Sequence, residues 1–364
     1  MTLSLPKWPP DWPEITESVR SLLTSGDWGR YHSQSCRDLE SRIREQFQAE
    51  SVRLCSSGNA AIEIALRAAQ VGPGDEVVLA GYDYPGNFRT IELLGARPVL
   101  VDIDPETLSM NPEQLDDAAG PSVRALIATH LYGQPADVAT IAETCKQNGW
   151  VCIEDACQVI GMSISKQLVG SFGDFATLSF GGSKIVSAGG GGAILANSPR
   201  LAARLGPLMD RPGEVYPLSP LQAAVIAPQL DRVDEWNRLR ASTVDWLAQH
   251  QDRLSDWHLI HGQNRANEPV DVSPAHYKIG WLAKDRSTRD RIIHAAKERQ
   301  LPIGEGFRSS SRCSERRCRK PVSTPHSERV SDCLFLLDHR ALMIEENQRG
   351  PLLKELEAIH DAAK

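Results

Sequence analysis

Seven short apolar runs recur between residues 52 and 196, separated by stretches with helical spacing. They occupy 52–55, 76–80, 98–102, 125–129, 151–154, 176–179 and 193–196. Each is nearly continuous in apolar residues rather than alternating, so both faces of the strand it predicts must be covered. Buried strands alternating with helices predict an α/β fold, a mostly parallel seven-stranded sheet with helices on both faces. In such a sheet the ligand lies beyond the carboxyl ends of the strands.

The pattern changes on either side of this block. The opening Leu5-Pro6-Lys7-Trp8-Pro9-Pro10-Asp11-Trp12-Pro13 predicts an extended arm, because its prolines lack donors and fix the backbone. A helix is predicted over 35–47. After Pro220 one long helical pattern runs through Leu221-Gln222-Ala223-Ala224 and Leu230 to about Gln249. Beyond it, 275–282 reads as a strand and 288–299 as a helix. A chain of 364 residues is long for one core. The expected division is an N-terminal arm (1–34), a large domain (35–240) and a smaller α/β domain (241–364).

Charge and composition narrow the partners. A net charge of −7 offers no general attraction to nucleic acid or an anionic membrane, so neither is expected. No apolar run approaches the roughly 18 residues that span a bilayer. The N-terminus lacks the pattern of a secretory signal, and a cytoplasmic location is expected. Eight cysteines without C-x-x-C spacing read as reduced thiols, and no metal site is expected.

The candidate chemistry centres on Lys184. It closes Ser179-Phe180-Gly181-Gly182-Ser183-Lys184 and is followed by the glycine run 189–192. Upstream, Ile153-Glu154-Asp155-Ala156-Cys157-Gln158 ends an apolar strand in a carboxylate. Strand alternation puts Glu154 on the opposite face from Asp155. The segment Cys55-Ser56-Ser57-Gly58-Asn59-Ala60-Ala61 ends another strand and opens a helix, whose free N–H groups make a phosphate seat; ordinary capping by Ser57 or Asn59 is the competing reading. Tyr84 follows a third strand and either lies on a flat ligand or simply packs. An amine, an acid at a strand end and hydroxyl- and glycine-rich turns are what pyridoxal 5'-phosphate (PLP) needs: covalent attachment, a partner for the ring nitrogen and a phosphate seat. The glycine run lacks G-x-G-x-x-G spacing and precedes a strand, which excludes a dinucleotide loop. The basic cluster Arg308, Arg312, Arg316, Arg317, Arg319 and Lys320 is either a solvated loop or an anion site, with Arg308 the favoured member.

With these residues assembled, the chain resembles the DegT/StrS-type aminotransferases, fold type I PLP enzymes that aminate keto-sugars and related cyclic ketones. The resemblance is carried by Ser25-Gly26-Asp27-Trp28, Ser57-Gly58-Asn59-Ala60, residues 95–104, His130-Leu131-Tyr132-Gly133, Glu154 to Gln158, Gly173-Asp174, Ser179-Phe180 with Lys184, and Leu221-Gln222-Ala223-Ala224. It implies that Lys184 holds the cofactor, Asp155 partners its ring nitrogen and Gln158 contacts its ring hydroxyl. Tyr84 would stack on the ring, and Ser57, Gly58, Asn59 and Ser179 would bind phosphate. The family's asparagine-tyrosine-arginine motif, which reaches the partner subunit's site, stands here as Val215-Tyr216-Pro217, and its usual histidine is Gly181.

The activity implied is amino transfer from glutamate or glutamine to a keto-sugar or related cyclic ketone. Tyr216 and Arg308 are the candidates for substrate contact, and the departures predict an acceptor other than the common nucleotide-linked 4-keto-hexoses. The alternatives are a dehydratase or aromatising enzyme similar to aminohydroxybenzoate synthase, and a non-catalytic PLP-binding regulatory protein. The family's dehydratase branch replaces the lysine that Lys184 matches. A homodimer is expected, with residues 213–220 near the partner's cofactor, since Trp8 and Trp12 would otherwise expose apolar surface.

Overall fold

The computed structural model describes residues 3–210, 216–260 and 271–364. Its large sheet is built from Ser51–Cys55 (β1), Glu76–Ala80 (β2), Arg97–Val101 (β3), Val123–Thr129 (β4), Val151–Asp155 (β5), Phe175–Ser179 and Gly192–Ala196. The two-residue strands Ser163–Ile164 (β6) and Gln167–Leu168 (β7) intervene, so the last two strands of the sheet are β8 and β9. The order is β1-β9-β8-β5-β4-β2-β3. Pairings from β3 through β8 are parallel, while β9 is antiparallel to both its neighbours. Each expected strand is present, and β9 alone runs against the rest.

Both faces are covered, as continuous apolar runs require. In β2, Val77 and Leu79 pack with Ile62, Leu66 and Ile91 on one side, while Val78 packs with Val99, Leu126 and Ile141 on the other. A second sheet, antiparallel, comprises His258–Ile260 (β10), Lys278–Leu282 (β12), Ile303–Glu305 (β13) and Leu334–Asp338 (β14) in the order β10-β12-β14-β13. The short strand Val272–Ser273 (β11) pairs with β6.

Several expectations need correction. The extended arm stops at Trp12; Pro13–Ser25 (α1) is a helix, with proline at its first turn where a missing N–H costs nothing. Trp8 and Trp12 do not wait for a partner subunit, because both pack on Trp236 of the same chain, at 5.6 and 4.6 Å between ring centroids. The long helix after Pro220 is two helices, Pro220–Leu230 and Val233–Gln249. Pro228 removes a backbone donor near the end of the first, and Arg232 leaves helical geometry between them (φ −107°, ψ 0°). The helix Gln34–Phe47 (α2) lies where expected. The strand expected over 275–282 begins at Lys278, after His276 turns into positive φ (33°).

The basic segment joining β13 to β14 is structural. Arg317 pairs with Glu92 at 2.6 Å, Arg319 with Glu76 at 2.9 Å and Arg312 with Asp332 at 2.5 Å. Arg319 also exchanges backbone hydrogen bonds with Pro98 and Leu100, which covers the open edge of β3.

Candidate active site

The carboxyl ends of β1, β5 and β8 converge on one cavity of about 460 Å³. At the end of β1, Ser57 is extended and caps the helix Gly58–Ala68 (α3), its Oγ accepting the Ala60 N–H at 3.1 Å. Capping and phosphate seating are therefore compatible, since the cap leaves other first-turn N–H groups free. Gly58 is required here by space: a Cβ would sit 2.9 Å from both Cys157 Sγ and Ser179 Cβ. The glycine run serves the same seat. Gly191 adopts positive φ (113°), and its N–H donates to Ser56 O at 2.8 Å, bringing β9 in beside Ser57.

Asp155 is the last residue of β5, only 4% exposed, and it lines the cavity. Its Oδ1 accepts the Cys157 N–H at 3.1 Å and its Oδ2 accepts Asn87 Nδ2–H at 3.0 Å. Glu154 points the other way. It is fully buried and accepts from the N–H groups of Gly170, Phe172 and Gly173, with His130 Nε2 3.1 Å away. Gln158 also lines the cavity, and its Oε1 accepts the Tyr132 N–H at 2.8 Å. Burial first, and then the charge of Asp155, push the Cys157 thiol well above its ordinary range.

Lys184 follows β8 in a turn closed by its own N–H to Gly181 O at 2.9 Å. Its Nζ lies 5.0 Å from the ring centroid of Tyr277, whose hydroxyl donates to Ser183 Oγ at 3.0 Å. Tyr84 precedes the helix Pro85–Leu93 (α4). Its ring folds over Gly86, where a Cβ would meet it at 2.2 Å, and stands edge-on to Phe307 at 5.5 Å.

The structure thus brings together Ser57, Gly58, Asn59, Tyr84, Asp155, Gln158, Ser179 and Lys184 in one cavity lining. Two candidates lie elsewhere. Arg308 is exposed and is not part of that lining. Tyr216 borders a separate pocket with Tyr31 and Arg37, its hydroxyl donating to Glu63 at 3.3 Å; its neighbour Val215 lies outside the described residues. Sequence reasoning gave no site role to Asn87, Asp83, Tyr277, Lys278 and Phe307. Asn87 and Asp83 stand beside Tyr84 in a helix-start sequence, which gave the only signal for them. Tyr277, Lys278 and Phe307 come from the second sheet's elements and line the cavity from across the chain.

Comparison with known proteins agrees with this geometry. The model of the DegT/DnrJ/EryC1/StrS aminotransferase family matches residues 11–350. A pleiotropic regulatory protein of Geobacillus stearothermophilus is 40% identical over 192 residues, covering 52% of this chain and 49% of that one. An L-glutamine:2-deoxy-scyllo-inosose aminotransferase of Streptomyces kanamyceticus is 35% identical over 208 residues, covering 55% and 48%. The chain thus spans about half the length of these curated relatives. The solved structure of 3-amino-5-hydroxybenzoic acid synthase superposes with a TM-score of 0.87 at 22% identity, over 100% of this chain and 99% of that one, which establishes the shared fold.

Proposed function

We propose that this chain, which belongs to the DegT/DnrJ/EryC1/StrS aminotransferase family, is a PLP-dependent aminotransferase that moves an amino group from glutamine or glutamate to a keto-sugar, cyclitol or related cyclic ketone. The observation that carries the reading is the convergence of Lys184, Asp155 and the start of α3 on one cavity. The residues fit the cofactor: the packed Gly58 backbone leaves no room for a side chain over the α3 amides, and the acid is buried where a cationic ring needs a counter-charge.

When bound, PLP supplies an aldehyde carbon that captures amines and a protonated ring that draws electrons from the carbon next to nitrogen. Lys184 would hold the cofactor covalently through Nζ, and its amine would be free once a donor is bound. The free Lys184 amine would serve as the base that takes a proton from the donor's α carbon and as the acid that returns one to the acceptor carbon. Asp155 keeps the ring nitrogen protonated. The amides of Gly58 and Asn59, with Ser57 and Ser179, bind the phosphate. Gln158, its Oε1 already engaged by Tyr132, keeps Nε2–H to donate to the ring hydroxyl oxygen. Tyr84 borders the ring's place, and Tyr277 orients Lys184 from the opposite wall.

A relative named for glutamine and an inosose supports the donor and a carbocyclic acceptor. We place the enzyme in the cytoplasm as a homodimer, with the described part of 213–220 near the partner subunit. Among the described residues, Leu23, Trp28 and Tyr31 are exposed, Tyr31 at 92%, and give the apolar surface a second copy would cover. No helix among the described residues is long and apolar enough to cross a membrane. The units 35–240 and 241–364 are proposed as its two domains.

The test is an absorbance titration of the PLP-loaded protein with L-glutamine and L-glutamate. Loss of the visible band on donor addition supports amino transfer, and an unchanged spectrum with both donors overturns it. Borohydride reduction and peptide mapping should find the cofactor on Lys184; a label on Lys166 or Lys278 would refute the assignment.

A further inference from the structure

Asp83 lies in the connection between β2 and α4, 2% exposed and outside the cavity lining. It is tied to Asp155 through a single amide. Asn87 Nδ2 stands 3.0 Å from Asp155 Oδ2, 3.2 Å from Thr129 Oγ1 and 3.4 Å from Asp83 Oδ2. Two amide protons cannot serve three acceptors, and Asp83 holds the longest contact. Its remaining donors are the Thr129 hydroxyl at 3.0 Å and the Tyr84 N–H at 2.6 Å.

Among the described residues no cation pairs with Asp83, whose donors are neutral groups. Tyr82 is engaged with Tyr132, and Asp102 at the end of β3 accepts from His326 N–H and from Ser327 N–H and Oγ–H. The His130 ring, at the end of β4, accepts the Ala136 N–H and faces Glu154. Beyond β5 stand Asp155 and the Cys157 thiol, while Lys184 and Lys278 line the cavity that Asp83 does not reach. Two carboxylates in one dry cluster repel, so one of them takes a proton. Asp155 opens on the cavity; Asp83 is closed in. Burial first, and then the Asp155 charge, raise the Asp83 carboxyl to about 7.

We propose that Asp83 is a positioning residue for Asp155: it carries the proton of the buried carboxyl cluster when no cofactor is bound, and surrenders it to water when a cationic pyridine ring settles on Asp155. The O–H bond of the Asp83 carboxyl breaks, its electron pair stays on the oxygen, and the ring's positive charge offsets the second carboxylate. This rests on the cavity being the PLP site. It makes cofactor binding release a proton.

The sign is fixed by linkage. A cation near Asp83 lowers its proton affinity, so binding releases a proton wherever the cofactor-free protein still holds it, below about pH 7. The test is calorimetric titration of PLP into the cofactor-free full chain, in two buffers of different ionisation enthalpy. Wild type, Asp83→Asn and Asp83→Ser are compared from about pH 6 to 8.5. The cofactor's own ionisations are common to all three and cancel in the difference.

Wild type should release up to about one proton more than either variant at the acid end, the excess vanishing at the alkaline end. Equal proton counts across the range, with PLP bound in all three, overturn the role of Asp83. A wild type that binds no PLP by borohydride fixation overturns the cofactor reading itself. The serine variant keeps the test intact if the asparagine does not fold.

Discussion

Replacing Gly58 with alanine adds one carbon where the structure has no room for it. That carbon would lie 2.9 Å from Cys157 Sγ, 2.9 Å from Ser179 Cβ and 3.2 Å from Ser179 Oγ. Both neighbours are anchored near strand ends of the large sheet, so neither can swing aside as a long surface side chain would. Overpacking of this kind costs about 1–3 kcal/mol. Alanine's better helix propensity returns about 1 kcal/mol, leaving a net loss of up to about 2 kcal/mol in the cofactor-free protein. The larger effect falls on binding, because relief of the clash moves the start of α3 away from Ser179 and spoils the seat. A displacement that costs a single charge-assisted phosphate contact, at about 1.5–3 kcal/mol, weakens PLP binding by roughly ten- to hundredfold. Fluorescence titration with PLP measures the affinity, and a thermal melt of the cofactor-free protein measures the stability. Adding Cys157→Ala removes one of the two close contacts, so the double variant should recover part of both losses, with a coupling of about 0.5–3 kcal/mol. Wild-type affinity and melting in Gly58→Ala would show that α3 does not abut β5 and β8 as described.

Other outcomes follow from the same geometry. Asp155→Asn should still bind PLP but slow donor-dependent spectral conversion by about 10²–10³-fold, measured by stopped flow, since a neutral amide cannot stabilise the ring's charge. Because the folded-state affinity of Asp83 for its proton is raised, the native protein binds more protons than the unfolded chain between about pH 4 and 7. Stability of the cofactor-free protein should therefore carry a component that is full at the acid end of that window and lost toward neutrality. Denaturant midpoints across it should show this slope in wild type and not in Asp83→Asn. Arg319→Ala removes a half-buried pairing with Glu76 and a hydrogen bond to Ala118 O; it should cost about 1–3 kcal/mol by urea unfolding and leave PLP affinity unchanged.

Much of this was legible in the sequence, for a physical reason. Strands buried on both faces must be apolar throughout, so runs such as 76–80 and 125–129 declare themselves without any knowledge of their neighbours. Lys184 stood out because small and glycine residues flank it on both sides, and Asp155 because it ends such a run. What the pattern could not carry was contact between distant segments. Tyr277 and Phe307 reach the cavity from elements that begin some ninety or more residues after Lys184, and periodicity says which face of an element is buried, not against what. For the arginines at 312, 317 and 319, a solvated loop and an anion site both stayed open only while Asp332, Glu92 and Glu76 were out of view. The break at Arg232 was hidden because the apolar spacing continues across it. Asn87 and Asp83 were masked by their own surroundings, since polar residues around a proline are ordinary at a helix start.

The way β9 enters the large sheet has a consequence for how the protein is made. Ser57 lies far along the chain from Ser179 and Gly191, and the three become neighbours only when β9 runs back between β1 and β8. A ribosome delivers residues from the N-terminus, and a strand can join the sheet only after it has cleared the exit tunnel. Until residue 196 has emerged, β1 has no partner in the sheet, and Ser57 lacks the Gly191 strand edge beside it. The anion seat is therefore incomplete in every shorter nascent chain, however well β2 to β5 have already paired. The walls contributed by Tyr277 and Phe307 arrive later still. Cofactor capture is thus a late event of synthesis, and a chain truncated within the glycine run should accumulate without it.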